Sequence, residues 1–127
     1  NMNFLKTTDT EIKNKKLVTN IGDLTLDLAV DVSSIKAGDE IDIGIRPEDL
    51  GVSASKVGIP MNVDVVEHIG ATVILHGSVL GNSNFCAVVP SDSTIKPGEI
   101  VNLVFDSSKC HAFNSSGQAL KKTNKQI

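Results

Sequence analysis

The side chains in this 127-residue chain whose types could do chemistry are Arg46-Pro47-Glu48-Asp49, the histidines His68, His76 and His111, and the cysteines Cys86 and Cys110. An arginine beside two carboxylates could hold an anion or a polar partner. Histidines and cysteines could bind a metal or activate a nucleophile. The spacings argue against both uses. His68 falls in the turn Glu-His-Ile-Gly and His76 in an alternating strand, and neither stands at a close ligand spacing from a cysteine. Cys110 and His111 are neighbours, and a strand would point them to opposite faces. Structural or surface roles are expected for them, and no metal site. The serines come with no Gly-x-Ser-x-Gly turn and no evident triad. No Gly-x-x-x-x-Gly-Lys-Ser/Thr loop occurs, so the chain does not hold ATP by that route. No catalytic residue and no cofactor site are expected.

Arg46-Pro47-Glu48-Asp49 has a complete structural account. A residue before proline is pushed towards extended backbone, which suits the end of a strand. Pro47 has no N–H for a sheet but fits the first position of a helical turn. Glu48 and Asp49 then stand where exposed N–H groups favour carboxylates. Leu50 returns to the core. Arg46 has Glu48 or a carboxylate on a neighbouring strand as a possible ion-pair partner.

The elements that must position these residues have period two. Leu24, Leu26, Leu28 and Val30 alternate with polar residues, as do Ile41, Ile43 and Ile45. Met61, Val63 and Val65 follow the same rule, then Val73, Leu75, Gly77 and Val79, then Phe85, Ala87 and Val89, then Val101, Leu103 and Phe105. Such alternation sends one set of side chains to a core and the other to water. Gly-, Pro- and Asn-rich turns separate the runs, and no helical period is sustained. The expected fold is all-β, a small barrel or sandwich. An internal echo divides it. Residues 34–45, SIKAGDEIDIGI, align without gaps on residues 94–105, TIKPGEIVNLVF, at an offset of 60. Two small β-units in tandem are therefore expected. Units of about 60 residues are marginal alone, which favours packing against each other or against a second copy.

Composition narrows the function. The chain is 40% hydrophobic and 21% charged, as in ordinary globular proteins. A net charge of -3 offers no footprint for nucleic acid. The aromatics are four phenylalanines, of which Phe85 and Phe105 lie on the apolar phase of their strands, where packing rather than base stacking is expected. No apolar run reaches membrane-span length and no signal peptide precedes the first strand, so a cytosolic location is the default expectation. Two cysteines without a spacing motif then read as thiols, with a disulfide the alternative. Neither Met2 nor Met61 neighbours a lysine, against a biotinyl or lipoyl carrier. Lys121, Lys122 and Lys125 read as a solvated basic tail. The start at Asn1, with Met2 behind it, fits either an expression scar or a cut inside a longer protein.

Three stretches taken in order carry a resemblance: GIRPEDL, VEHIGATVILHGSV and KPGEIVNLVFDSSKCHAFNSSGQAL. Together with the opening NMNFL they resemble the C-terminal regulatory region, the TOBE domain, of ATP-binding subunits of bacterial maltose-type ABC sugar importers. The resemblance spans nearly all of residues 2 to 120. It implies two tandem OB-like β-barrel units packed together. The expected boundaries are 1–56 for the first unit, which may exchange strands with the second, 57–120 for the second, and 121–127 for a tail. It also implies a non-catalytic regulatory and dimerisation role. ATP and Mg²⁺ would belong to a domain of the parent protein N-terminal to Asn1. The implied partners are a second copy, the parent's own ATPase domain, permease subunits reached through it, and regulatory proteins, at the cytoplasmic face of the bacterial inner membrane. Carried onto this sequence, the motifs mark Gly44, Arg46, Pro47 and Glu48 as one surface loop, Glu67 and Gly70 as a second, and His111, Phe113 and Gly117 as a third. Gly44, Gly70 and Gly117 are expected to serve tight backbone geometry, and Arg46 and Glu48 to make polar contacts across an interface. The family usually has an acidic residue after the Phe of Cys-His-x-Phe, where this chain has Asn114, and Trp and Tyr are absent. The alternative from another class is oxyanion sensing, as some TOBE-type domains bind molybdate; Arg46, Lys96 and Ser91 to Thr94 are the candidate donors.

Overall fold

The computed structural model describes residues 2–123. Its strands are β1 (Asn3–Thr7), β2 (Thr10–Lys13), β3 (Lys16–Ile21), β4 (Leu24–Leu28), β5 (Ile41–Ile45), β6 (Gly51–Ser53), β7 (Ile59–Ile69), β8 (Thr72–Val79), β9 (Asn82–Pro90), β10 (Ile100–Val104) and β11 (His111–Phe113). Among the described residues helix occurs only as two single 3₁₀ turns, Pro47–Asp49 and Ser107–Lys109. The expected all-β class is what the chain adopts.

The strands form two compact units that are not sequential halves. Among the described residues one comprises Arg46–Phe105 with residues 2–3, and the other Phe4–Ile45 with residues 106–123. The halves 1–56 and 57–120 differ from these because pairing is non-local. β11 returns to β5, with Ala112 opposite Ile43, and β6 pairs with β10, with Val52 opposite Leu103.

The first unit holds a five-stranded sheet in the order β6-β10-β7-β8-β9. Its alternating residues bury Met61, Val63, Leu75, Phe85 and Leu103 on one face. Two register shifts interrupt the long strands, one between Val63 and Val65 and one between Gly77 and Val79. Such bulges bend a strand and increase its twist, which curls a sheet towards closure. Gly77 lies opposite Val63 at the first shift, where an added Cβ would run into the carbonyl oxygen of Asn62. Only glycine fits that approach. At the outer edge of the sheet, the Asn3 side chain donates to the Cys86 carbonyl at 2.7 Å, and the Cys86 N–H donates back to Asn3 Oδ1 at 2.9 Å.

The second unit holds two three-stranded sheets, β1-β5-β11 and β2-β3-β4. Leu5, Leu17, Leu26, Ile41 and Ile43 are fully buried there. Thr19 is buried with them, its hydroxyl donating to the Asp9 carbonyl at 2.7 Å and lying 3.0 Å from Thr7 Oγ1. The expected basic tail is solvated at Lys121 and Lys122, which are exposed, but its backbone is paired as far as it is described. Ala29–Asp31, just past β4, have backbone groups that need partners, and residues 121–123 supply them. Asp31 N donates to the Lys121 carbonyl, Thr123 N to the Ala29 carbonyl, and Lys122 Nζ to the Ser108 carbonyl. Lys125 lies outside the described residues.

The sequence echo is a structural one. Asp39 N donates to the Lys36 carbonyl at 3.1 Å and Glu99 N to the Lys96 carbonyl at 3.2 Å. Gly38 and Gly98 sit in these turns with φ of +87° and +93°. Each glycine N–H also donates to a backbone carbonyl of its own unit, Thr10 and Val63 respectively. The strands that follow are β5 and β10.

Candidate functional site

The chain leaves β5 through Arg46, which is extended with φ -75° and ψ 147°, as its place before a proline requires. Pro47 opens a single 3₁₀ turn and is buried, Glu48 is exposed, and Leu50 is buried after the turn closes onto Arg46 and Pro47 carbonyls. This is the strand terminator expected from the sequence. Arg46, the chain's one arginine, is exposed, and among the described residues it enters no ion pair. The pairings open to it in the sequence, with Glu48 or a carboxylate of a neighbouring strand, are not made.

Arg46, Pro47 and Glu48 line one wall of a cleft of about 340 Å³. The opposite wall is the outer face of β8 and β9, with Ile74, His76, Cys86 and Val88. His76 lies directly across from Cys86 in the ladder and across from Val65 on β7, while Ile74 lies across from Glu67 and from Val88. His76 and Cys86 also line a second cleft of about 300 Å³ with Asp64, Ser83 and Asn84.

Three of these side chains form a line. Glu67 Oε1 lies 2.9 Å from His76 Nε2, and His76 Nδ1 lies 3.3 Å from Cys86 Sγ. A carboxylate only accepts, so Nε2 carries the proton and donates to Glu67. In the neutral ring Nδ1 is then the acceptor, and the thiol donates to it. Burial pushes the Cys86 thiol pKa up, and the negative charge of Glu67 pushes it the same way, so the resting form is the thiol. In chemical terms the order is nucleophile, base and orienting carboxylate. Among the described residues no cluster of ligand side chains could hold a metal ion.

The other residues marked in the sequence lie elsewhere. Glu67 and His68 are within β7 rather than in a loop or turn; Gly70 is in the β7–β8 turn with φ +56° and does not line the cleft. Gly44, His111, Phe113 and Gly117 belong to the second unit. Gly44 is buried in β5 opposite His111, with no positive φ. Phe113 meets Phe4 edge to face at 5.5 Å. Gly117, φ +81°, closes a turn whose other anchor is Asn114. Asn114 Oδ1 accepts from the N–H groups of Ser116 and Gln118, a task an aspartate would perform equally, which accounts physically for the departure from the family pattern. Of the proposed oxyanion donors only Arg46 lines the cleft; Lys96 and Ser91 to Thr94 do not.

His76, Cys86, Ile74 and Val88 were not marked by the sequence. A signal existed for the first two. If Val73, Leu75 and Gly77 are to share a core face with Phe85, Ala87 and Val89, the hairpin must pair Leu75 with Ala87, and His76 then falls opposite Cys86.

The family assignment rests on this frame. The TOBE domain family matches residues 43–113, and the chain belongs to that family. The match contains every residue lining the first cleft. Relatives are ATP-binding proteins of importers, and the chain matches their C-terminal region. The chain is 35% identical over 77 residues to the sn-glycerol-3-phosphate import ATP-binding protein UgpC 2 of Agrobacterium fabrum, covering 61% of this chain and 20% of the relative. It is 27% identical over 122 residues to the alpha-glucoside transport ATP-binding protein AglK of Rhizobium meliloti, covering 94% and 34%. It is 35% identical over 91 residues to the trehalose/maltose import ATP-binding protein MalK of Thermococcus litoralis, covering 65% and 24%. The chain thus spans between a fifth and about a third of these relatives. In fold it is similar to the cytoplasmic molybdate-binding protein ModG, with a TM-score of 0.65 at 15% identity, covering 87% of this chain and 94% of that one.

Proposed function

We propose that this chain is the regulatory, dimer-forming region of the ATP-binding subunit of a bacterial ABC transporter importing sugars or related solutes, and that it performs no catalysis itself. The observation that carries this reading is membership of the TOBE family over residues 43–113, with relatives that are ATP-binding proteins for the transport of sn-glycerol-3-phosphate, alpha-glucosides and trehalose/maltose. The parent protein would bind ATP and Mg²⁺ in a separate N-terminal domain. Through that domain it would engage membrane permease subunits at the cytoplasmic face of the inner membrane. Regulatory proteins are further candidate partners.

The cleft supports an interface at the Arg46–Glu48 turn. An exposed arginine and glutamate, without ion pairs among the described residues, are held on a turn anchored by buried Pro47 and Leu50. Beside them the outer sheet face offers apolar area: Val65 and Ile69 are 54% and 50% exposed, and Ile74 and Val88 are half-buried. A charged rim around an apolar patch is how interfaces are commonly built. In the second unit His111, Phe113 and Gly117 would shape a further surface.

Light scattering over a concentration series tests the reading. A dimer in plain buffer is expected, weakened by Arg46→Ala and by Glu48→Ala while each variant keeps its thermal stability. A monomer at all concentrations would remove the dimer-forming role from the chain by itself. Assembly only with molybdate or phosphate would replace it with oxyanion sensing.

A further inference from the structure

We propose that Cys86 is a site of reversible thiol modification by small disulfides, with His76 as its base and Glu67 as the group that orients His76. A half-buried thiol with a raised pKa is ordinarily inert, because little thiolate exists at neutral pH. The contact at 3.3 Å between Sγ and His76 Nδ1 supplies another route. As the sulfur attacks, its proton passes to Nδ1, and the imidazolium that forms is held by the Glu67 carboxylate at 2.9 Å. The new bond joins Cys86 Sγ to one sulfur of the disulfide, whose S–S bond breaks. The departing thiolate takes the proton from His76 and leaves as a thiol. Cys86 ends oxidised to the disulfide level and the departing sulfur reduced, so nothing else is consumed.

Access and room are both present. Cys86 lines two clefts, of about 340 and 300 Å³, so an incoming group can approach from one side and its substituent settle in the other. The first cleft is lined by both Arg46 and Glu48 and the second by Asp64, so Arg46 is the lining cation that can meet a carboxylate of the substituent. Cys110 provides an internal control, since it is 1% exposed and its Sγ lies 3.7 Å from the Asp106 carbonyl oxygen. An adduct at Cys86 would fill the cleft beneath Arg46 and Glu48.

The test treats the chain with oxidised glutathione and follows intact mass with peptide mapping. One adduct at Cys86 is expected, released by a reductant, with Cys110 unmodified. His76→Gln should slow its formation by about tenfold or more, since glutamine is no base. His76→Ala should be equally slow and recover part of the rate when free imidazole is added, which a purely structural role of the ring would not produce. No adduct at Cys86, an adduct at Cys110 instead, or an unchanged rate in both His76 variants would overturn the proposal.

Discussion

Sixty residues apart, the chain makes the same manoeuvre twice and uses it differently. Arg46–Leu50 and Asp106–Cys110 each follow an echoed strand, make one 3₁₀ turn and deliver a buried residue, Leu50 or Cys110. At the second turn the polar groups are engaged locally. The Asp106 side chain accepts from Ser108 N at 2.9 Å, the Ser107 hydroxyl accepts from Asp27 N, and the Ser108 carbonyl accepts from Lys122 Nζ. The first turn has no side-chain cap and relies on the fixed φ of Pro47 instead. That leaves Arg46 and Glu48 unengaged at a cleft. A proline start frees polar side chains that a capped start ties down, which is why one copy of the device can face a partner and the other serves the fold.

The comparison can be broken most forcefully at the buried ends. Leu50→Ala is expected to cost about 2–5 kcal/mol in denaturant unfolding, and Cys110→Ala only about 1 kcal/mol, because less volume is removed. Equal losses would mean that the two turns are not anchored as their burial indicates. The turns before the strands provide a sharper and smaller test. Gly38→Ala and Gly98→Ala should each lose about 1–2 kcal/mol by the same measurement, from backbone strain alone, since an added Cβ meets nothing within 4 Å at either site. Clearly unequal costs would limit the echo to its sequence. The smallest effect concerns acid. The backbone N–H of Ser108 is the main cause holding the Asp106 carboxyl below its ordinary value of 3.8, with a further hydrogen-bond contribution from the Ser108 side chain. A depressed folded pKa contributes stability above the unfolded value and loses it as pH falls through the folded one. Melting temperature below about pH 4 should therefore fall slightly more steeply for the parent chain than for Asp106→Asn, with no such difference near neutrality.

Much of the fold was legible because it is written in alternation. The strands around Ile41, Met61, Leu75, Ala87 and Leu103 announce themselves by period two, and the echo of 34–45 in 94–105 locates both glycine turns. β3 was not recognised, for two physical reasons. Its core face carries Thr19, a polar residue satisfied only by tertiary hydrogen bonds. Its hairpin turn is Asn14-Lys15, with φ of +52° and +61°, where the usual signal would be a glycine. The sequence allowed for strands exchanged between the units but not for where the division falls, because β5 and β10 each end one unit's segment while the turn that follows begins the other's. The pairings of β11 with β5 and of β6 with β10 reveal that division. The Arg46–Glu48 turn could be read from local chemistry. Of the Glu67–His76–Cys86 line only the pairing of His76 with Cys86 left a signal in the alternation, because the line as a whole spans three strands and depends on a register set by the shift near Gly77.

One carboxamide has a further consequence. β9 borders its sheet, and a bordering strand with vacant N–H and C=O groups is a template on which other chains can add and aggregate. Asn3 occupies both backbone groups of Cys86 at once, imitating with a side chain the two bonds a neighbouring strand would make. Near the middle of β9 the template is thereby interrupted, at the residue whose thiol faces the cleft.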